Sequence, residues 1–65
     1  MENSTKTWLK HHMRCDDNMV FNKEDKTGIY FKPYYYDYDS SRWYPTNSLE
    51  RFDSWEEVEK YYFKF

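Results

Sequence analysis

Leu9, Val20, Ile29, Leu49 and Val58 are the only Leu, Ile or Val residues in this chain of 65. So few branched aliphatics cannot build a core alone, and a chain poor in Leu, Ile, Val and Phe ordinarily stays disordered. Two features oppose disorder. The formal net charge is only −2, and Phe, Trp and Tyr make up 25% of the residues. Each ring can bury roughly 150–250 Å². The core must therefore be aromatic, with Met13 and Met19 filling the gaps between rings. Residues 1–65 make a single small domain, near the size at which metals, disulfides or partners are often needed.

Charge and cysteine content narrow the setting. Cys15 is the single cysteine, so no internal disulfide framework exists and a reducing compartment is expected. The N-terminal segment has no apolar run suited to a signal peptide, and no stretch approaches a membrane span. The expected location is the cytoplasm. Twelve acidic residues stand against ten basic ones, whereas nonspecific DNA binding needs a basic stripe. Alanine and glutamine are absent and lysine outnumbers arginine. That composition fits AT-rich coding, as in a low-GC bacterium or a virus infecting one.

Four segments follow along the chain. In STKTWLKHHMR, residues 4–14, Trp8, Leu9, His12 and Met13 recur at helical spacing, with Ser4 or Thr5 as N-cap. The same run also reads as a strand with Leu9, His11, Met13 and Cys15 on one face. Asp16-Asp17-Asn18 ends it with turn formers. MVFNK, residues 19–23, reads as a strand, followed by a hairpin loop over residues 24–28 in which Gly28 supplies positive φ. IYFKPYYY, residues 29–36, is the strongest strand. Residues 37–41 form the next turn and residues 42–46 a third strand. Pro33 and Pro45 each lack a donor, which favours edges or bulges.

In DSWEEVEKYYF, Ser54 and Glu57 form a capping box. Glu56, Glu57 and Lys60 suit the helix dipole. Trp55, Val58 and Tyr62 fall on one stripe, with Phe52 anchoring the helix start and residues 63–65 fraying or adding a strand. The expected fold is α+β: an antiparallel sheet of about three strands, a C-terminal helix on one face, and an N-terminal helix.

Alternation along residues 29–36 divides the tyrosines. Lys32 rarely buries without a partner, so its set faces outward: Tyr30, Tyr34 and Tyr36, with Arg42 and Tyr44 expected beside them. Ile29, Phe31, Tyr35 and Trp43 then face the helix, and Tyr38 lies in the loop. The outer set is either an interaction surface or a second core layer beneath the N-terminal helix.

Other constellations carry less. His11-His12-x-x-Cys15-Asp16-Asp17 offers metal-ligand types at i, i+4, but a structural zinc site needs four ligands, usually from two segments. Read as a Cys–His nucleophile pair, it lacks room for a sheltered cleft and oxyanion hole. Asp37-x-Asp39-x-Ser41 starts like a calcium loop, yet Arg42 and Ser48 stand where that pattern needs Gly and Glu. The pairs Glu56-Glu57 and Asp16-Asp17 sit at a helix start and in a turn, where they have structural reasons to be. Glu50, Asp53, Glu56, Glu57 and Glu59 make an acidic face suited to solvent or a basic partner. No catalytic residue, metal or cofactor is expected.

The expected function is a non-enzymatic protein-binding module acting by steric blockade, in a phage or mobile-element setting against a host or defence protein. Its contact residues are expected to be Tyr34, Tyr36, Tyr38, Tyr44 and Arg42, with Asp37 and Asp39 giving orientation. The alternative is nucleotide or single-stranded RNA binding by ring stacking, with Arg42, Lys32 and Lys26 on phosphates. Against it, Asp37 and Asp39 would repel phosphate. A third option is homo-oligomer assembly through the outer rings and Tyr61-Tyr62-Phe63.

Overall fold

The computed structural model describes residues 1–64. The chain runs α1 (Asn3–Asp17), β1 (Met19–Asp25), β2 (Gly28–Asp37), β3 (Arg42–Pro45), β4 (Glu50–Phe52) and α2 (Trp55–Phe63). The α+β expectation holds, with a fourth strand added. Residues 4–14 are helical, as part of α1, but the N-cap is Glu2 with no side-chain cap bond, not Ser4 or Thr5. Asn18 ends the helix in the left-handed conformation with φ of 57°, which Asn tolerates better than most residues. Among the described residues no helix is long and apolar enough to cross a membrane.

β2 is the spine of an antiparallel sheet. β1 lines one edge from Met19 opposite Pro33 to Asp25 opposite Gly28. β3 and β4 follow one another along the other edge, opposite residues 34–37 and 29–31. Between them, residues 46–49 bulge outward opposite only Lys32 and Pro33. The bulge has a local cause. The Thr46 N–H donates to the Pro33 carbonyl at 2.9 Å, but proline has no N–H to return the bond. Lys32 Nζ donates to the Thr46 carbonyl instead, at 3.2 Å. Lys32 thus lies on the outer face as expected, half-buried and tied to backbone.

A second bulge, at Asn22, sets which β1 residues look inward. It turns Lys23 out, where Nζ sits 4.9 Å from the Tyr30 ring centroid. Glu24 turns in and accepts from Trp55 Nε1 at 3.2 Å. Both helices cover the inner face. Leu9 and Met13 of α1 join Met19, Ile29, Phe31, Trp55 and Val58 in one buried cluster. Trp8 of α1 meets Tyr62 of α2 edge-on at 5.4 Å. α1 therefore packs beside α2 and leaves the outer rings uncovered.

α2 starts as its cap predicts: the Glu57 N–H donates to Ser54 Oγ at 3.2 Å. The Glu57 side chain points to Lys60 at 3.7 Å. Lys64 closes the helix in the left-handed conformation, and Phe65 lies outside the described residues.

Gly28 has φ of +147°, and a Cβ there would meet Arg51 Nε at 2.9 Å and the Phe52 carbonyl at 3.0 Å. Strain and collision both oppose a side chain. Gly28→Ala is expected to cost about 1–3 kcal/mol, against about 1 kcal/mol for Ser54→Ala. Urea denaturation midpoints check both, and an unchanged Gly28→Ala midpoint would contradict the backbone reading.

Candidate functional site: an aromatic ribbon

Past Tyr34, β2 has only β3 beside it, so residues 34–45 form a two-stranded ribbon at one end of the molecule. No residue of the ribbon belongs to the buried core. The protein is correspondingly elongated, 40 × 22 × 21 Å.

The turn that closes the ribbon is built by Asp37. Its Oδ1 accepts from the Asp39 N–H at 3.1 Å and its Oδ2 from Ser40 Oγ at 3.2 Å. Ser41 takes the left-handed conformation with φ of 57°. The loop is therefore residues 38–41, and Asp37 pairs with Arg42 as the last rung of the ladder.

That register corrects the expected facing of β3. Trp43 lies opposite Tyr36, on the outer side, while Tyr44 lies opposite Tyr35 and Arg42 opposite Asp37, on the helix side. A loop one residue shorter than the expected one reverses every β3 side chain. Tyr35 is corrected too. It has the helix-side parity but stays 53% exposed, because the helices do not extend over the ribbon.

Each face of the ribbon carries its own ring group. On the outer side Tyr36 meets Trp43 at 5.3 Å and Tyr38 at 4.9 Å, both near edge-to-face. Tyr34 shares that side and is half-buried. On the other side Tyr35 and Tyr44 lie 6.1 Å apart. Trp43 is 50% exposed and Tyr38, at the tip, 85%.

The polar ends of these rings are unengaged. Three body rings bond within the chain, Tyr30 with Thr27, Trp55 with Glu24 and Tyr62 with Asp16, while exposed Trp8 and Tyr61 have no such bond among the described residues. Among the described residues, none of the hydroxyls of Tyr34, Tyr35, Tyr36, Tyr38 and Tyr44, nor the Trp43 indole N–H, has such a bond. The Arg42 guanidinium and the Asp39 carboxylate are likewise unpaired among them. Tyr34, Tyr36, Tyr38, Asp37 and Asp39 thus gather on or around one side and the tip, with Arg42 and Tyr44 on the reverse. Tyr35 and Trp43 are additional members of the ribbon surface that alternation alone had assigned inward.

The His–Cys–Asp segment serves the junction of the helices. His11 Nε2 and Cys15 Sγ are 3.6 Å apart, and His12 Nδ1 is 3.4 Å from Asp16 Oδ2. Tyr62 of α2 donates to the same Asp16 oxygen, and the His12 ring lies 4.0 Å from the Trp8 ring. The Tyr62 bond is the main cause holding Asp16 below its ordinary pKa, against desolvation and with help from His12. The same bond, with burial second, pushes the Tyr62 phenol up to about 12. Among the described residues no three His, Cys, Asp or Glu side chains converge as a metal site would require. Lys26 lies in the β1–β2 turn, at the far end of the sheet from the ribbon tip.

No protein-family model matches the chain, and no curated protein or solved structure gives a significant match.

Two expectations follow. The Tyr62–Asp16 contact is complete at neutral pH and weakens at both extremes. Asp16 has a depressed pKa, so its contribution fades as pH falls through that value. Tyr62 has a raised one, so its contribution fades as pH climbs from its ordinary 10.0 toward about 12. Tyr62→Phe should remove the highest step of the phenolate absorbance titration, and an unaltered titration would contradict the assignment. Second, Tyr36→Ala/Trp43→Ala should lower the unfolding free energy from urea denaturation by no more than about 1–2 kcal/mol, the scale of an exposed ring pair. Phe31→Ala in the core should cost about 3–5 kcal/mol.

Proposed function

We propose that this protein is a non-enzymatic binding module that blocks a partner protein by occupying its surface with the 34–45 ribbon. One observation carries the reading. The chain places six of its rings on a ribbon that no helix covers, with every phenolic and indole polar group there left unbonded among the described residues. Rings that serve only a fold are ordinarily roofed, and buried polar ends find partners. Tyr, Trp and Arg are the residues enriched at the energetic centres of protein interfaces, because rigid amphipathic rings add contact at low entropy cost.

Tyr34, Tyr36, Tyr38, Tyr44 and Arg42 supply contact, with Tyr35 and Trp43 beside them. Asp37 and Asp39 set orientation, Asp37 through the turn it builds and Asp39 through its open carboxylate. The compositional signature of AT-rich coding fits a phage or mobile-element protein aimed at a host or defence protein in the host cytosol. Charge supports a protein partner over a nucleic acid: the ribbon tip carries two carboxylates to one guanidinium, and Lys32 is tied to the Thr46 carbonyl.

The chain, immobilised and exposed to lysate of a low-GC bacterium, is expected to retain a specific protein identifiable by mass spectrometry. Alanine at Tyr34, Tyr36, Tyr38, Tyr44, Arg42 and Asp39 should then include at least one loss of about 2 kcal/mol or more. Normal binding by all six would remove the ribbon from the contact surface. Steeply salt-dependent binding to single-stranded oligonucleotides would favour the stacking alternative instead.

A further inference from the structure

We infer that His11 and Cys15 of α1 are half of a zinc site, completed by the same pair from a second copy of this chain. The site lies on the solvent side of α1 and does not depend on the binding role of the ribbon. Spacing of i, i+4 puts both side chains on one stripe of the helix, one turn apart. Both are exposed, and His11 Nε2 stands 3.6 Å from Cys15 Sγ. A tetrahedral zinc ion, with Zn–S of about 2.3 Å and Zn–N of about 2.05 Å, holds such donors about 3.5–3.6 Å apart. The two atoms already have the span of a shared metal ion.

One chain stops at two ligands. Among the described residues no third His, Cys, Asp or Glu joins them. The neighbouring pair is engaged elsewhere, because Asp16 meets His12 and accepts from Tyr62 of α2. Structural zinc takes four ligands, commonly two Cys and two His. A two-fold axis through the metal doubles one pair into that set, and the two thiolates cancel the charge of the ion.

The surroundings of the pair suit a second helix. Ser4, Trp8, His11, Cys15 and Asn18 follow one another at steps of four, three, four and three residues, the spacing of a seam between helices. All five are exposed and none is charged, in a chain of which 34% is charged. α2 differs, since its exposed side carries Glu56, Glu57 and Lys60. The charges of α1 stand off the seam. Lys6 and Lys10 turn over the Trp55 and Phe21 rings, and Asp17 reaches Lys64. A hydrogen bond between His11 and Cys15 would account for their distance, but not for the charge-free stripe around them. A two-fold contact uses the same stripe on both copies. Trp8, 42% exposed, adds apolar area to it, and metals and self-association are common ways for so small a chain to gain stability.

The test is a titration of the purified, reduced and metal-free chain, first with Co²⁺ as a coloured stand-in and then with Zn²⁺. Expected are a thiolate-to-cobalt charge-transfer band, the visible bands of tetrahedral Co²⁺ and an endpoint of one metal per two chains. Sedimentation should show the mass doubling with Zn²⁺ and returning with excess EDTA. A sulfur–zinc bond replaces the S–H bond of each Cys15, so uptake should release protons to the solution. Cys15→Ser and His11→Ala, both at exposed positions, should keep the far-UV circular dichroism of the monomer and lose the endpoint and the doubling.

Absence of the cobalt band, or its retention by Cys15→Ser, would overturn the site. One metal per chain with no change of mass, an adventitious ion only, would overturn the sharing between copies. A doubling that survives EDTA would overturn the metal and make the seam an interface without it. A doubling that a stronger reductant removes and EDTA does not would be a disulfide between two Cys15 residues, and would overturn the metal as well.

Discussion

Phe31 is fully buried, and three rings from three different elements meet it edge-on: Phe21 at 5.7 Å, Phe52 at 5.8 Å and Trp55 at 6.2 Å. These come from β1, β4 and α2 in turn. A chain nearly without branched aliphatics thus uses quadrupole-favoured ring edges where others use Leu and Ile, each such pair adding about 0.5–1.5 kcal/mol beyond burial. Leu9, Met13, Met19, Ile29 and Val58 fill the space around the rings. Met suits this task because its unbranched side chain adapts to irregular gaps.

This core is small, and its size determines the rest of the architecture. Both helices are spent on one face of the sheet, and on only part of its length. β2 nevertheless runs on past Pro33, and β3 follows it back. The boundary between covered and uncovered sheet coincides with the missing proline donor and the Lys32–Thr46 contact. On one side of that boundary Phe31 is buried and the Tyr30 hydroxyl meets Thr27; beyond it no β2 ring is buried and no β2 hydroxyl is bonded among the described residues. The binding role proposed for the ribbon grows from this contrast within one continuous strand.

The sequence was legible where a pattern is local. Period-3.6 spacing and the Ser54 cap identified α2, and Gly28 marked a turn that only glycine fits, whereas residues 4–14 suited a helix and a strand alike and only the structure made them part of α1. β4 escaped notice because Glu50–Phe52 is too short to show alternation, and Phe52 had already been given a role at the helix start. The facing of Trp43 and Tyr44 was misread for a subtler reason. Asp37 serves as both last strand residue and turn builder, so the loop has four residues, and strand parity depends on that single count.

Composition by itself determined that any core here had to be aromatic, and left open whether the ring-rich stretch from Pro33 to Pro45 was surface or a second core layer. Only the tertiary structure decided which rings became core. That choice depends on where the two helices come to rest on the sheet, through contacts between residues such as Trp8 and Tyr62 that lie far apart in the chain. No local propensity encodes where that coverage stops, because it is set by the total apolar area available to close one face.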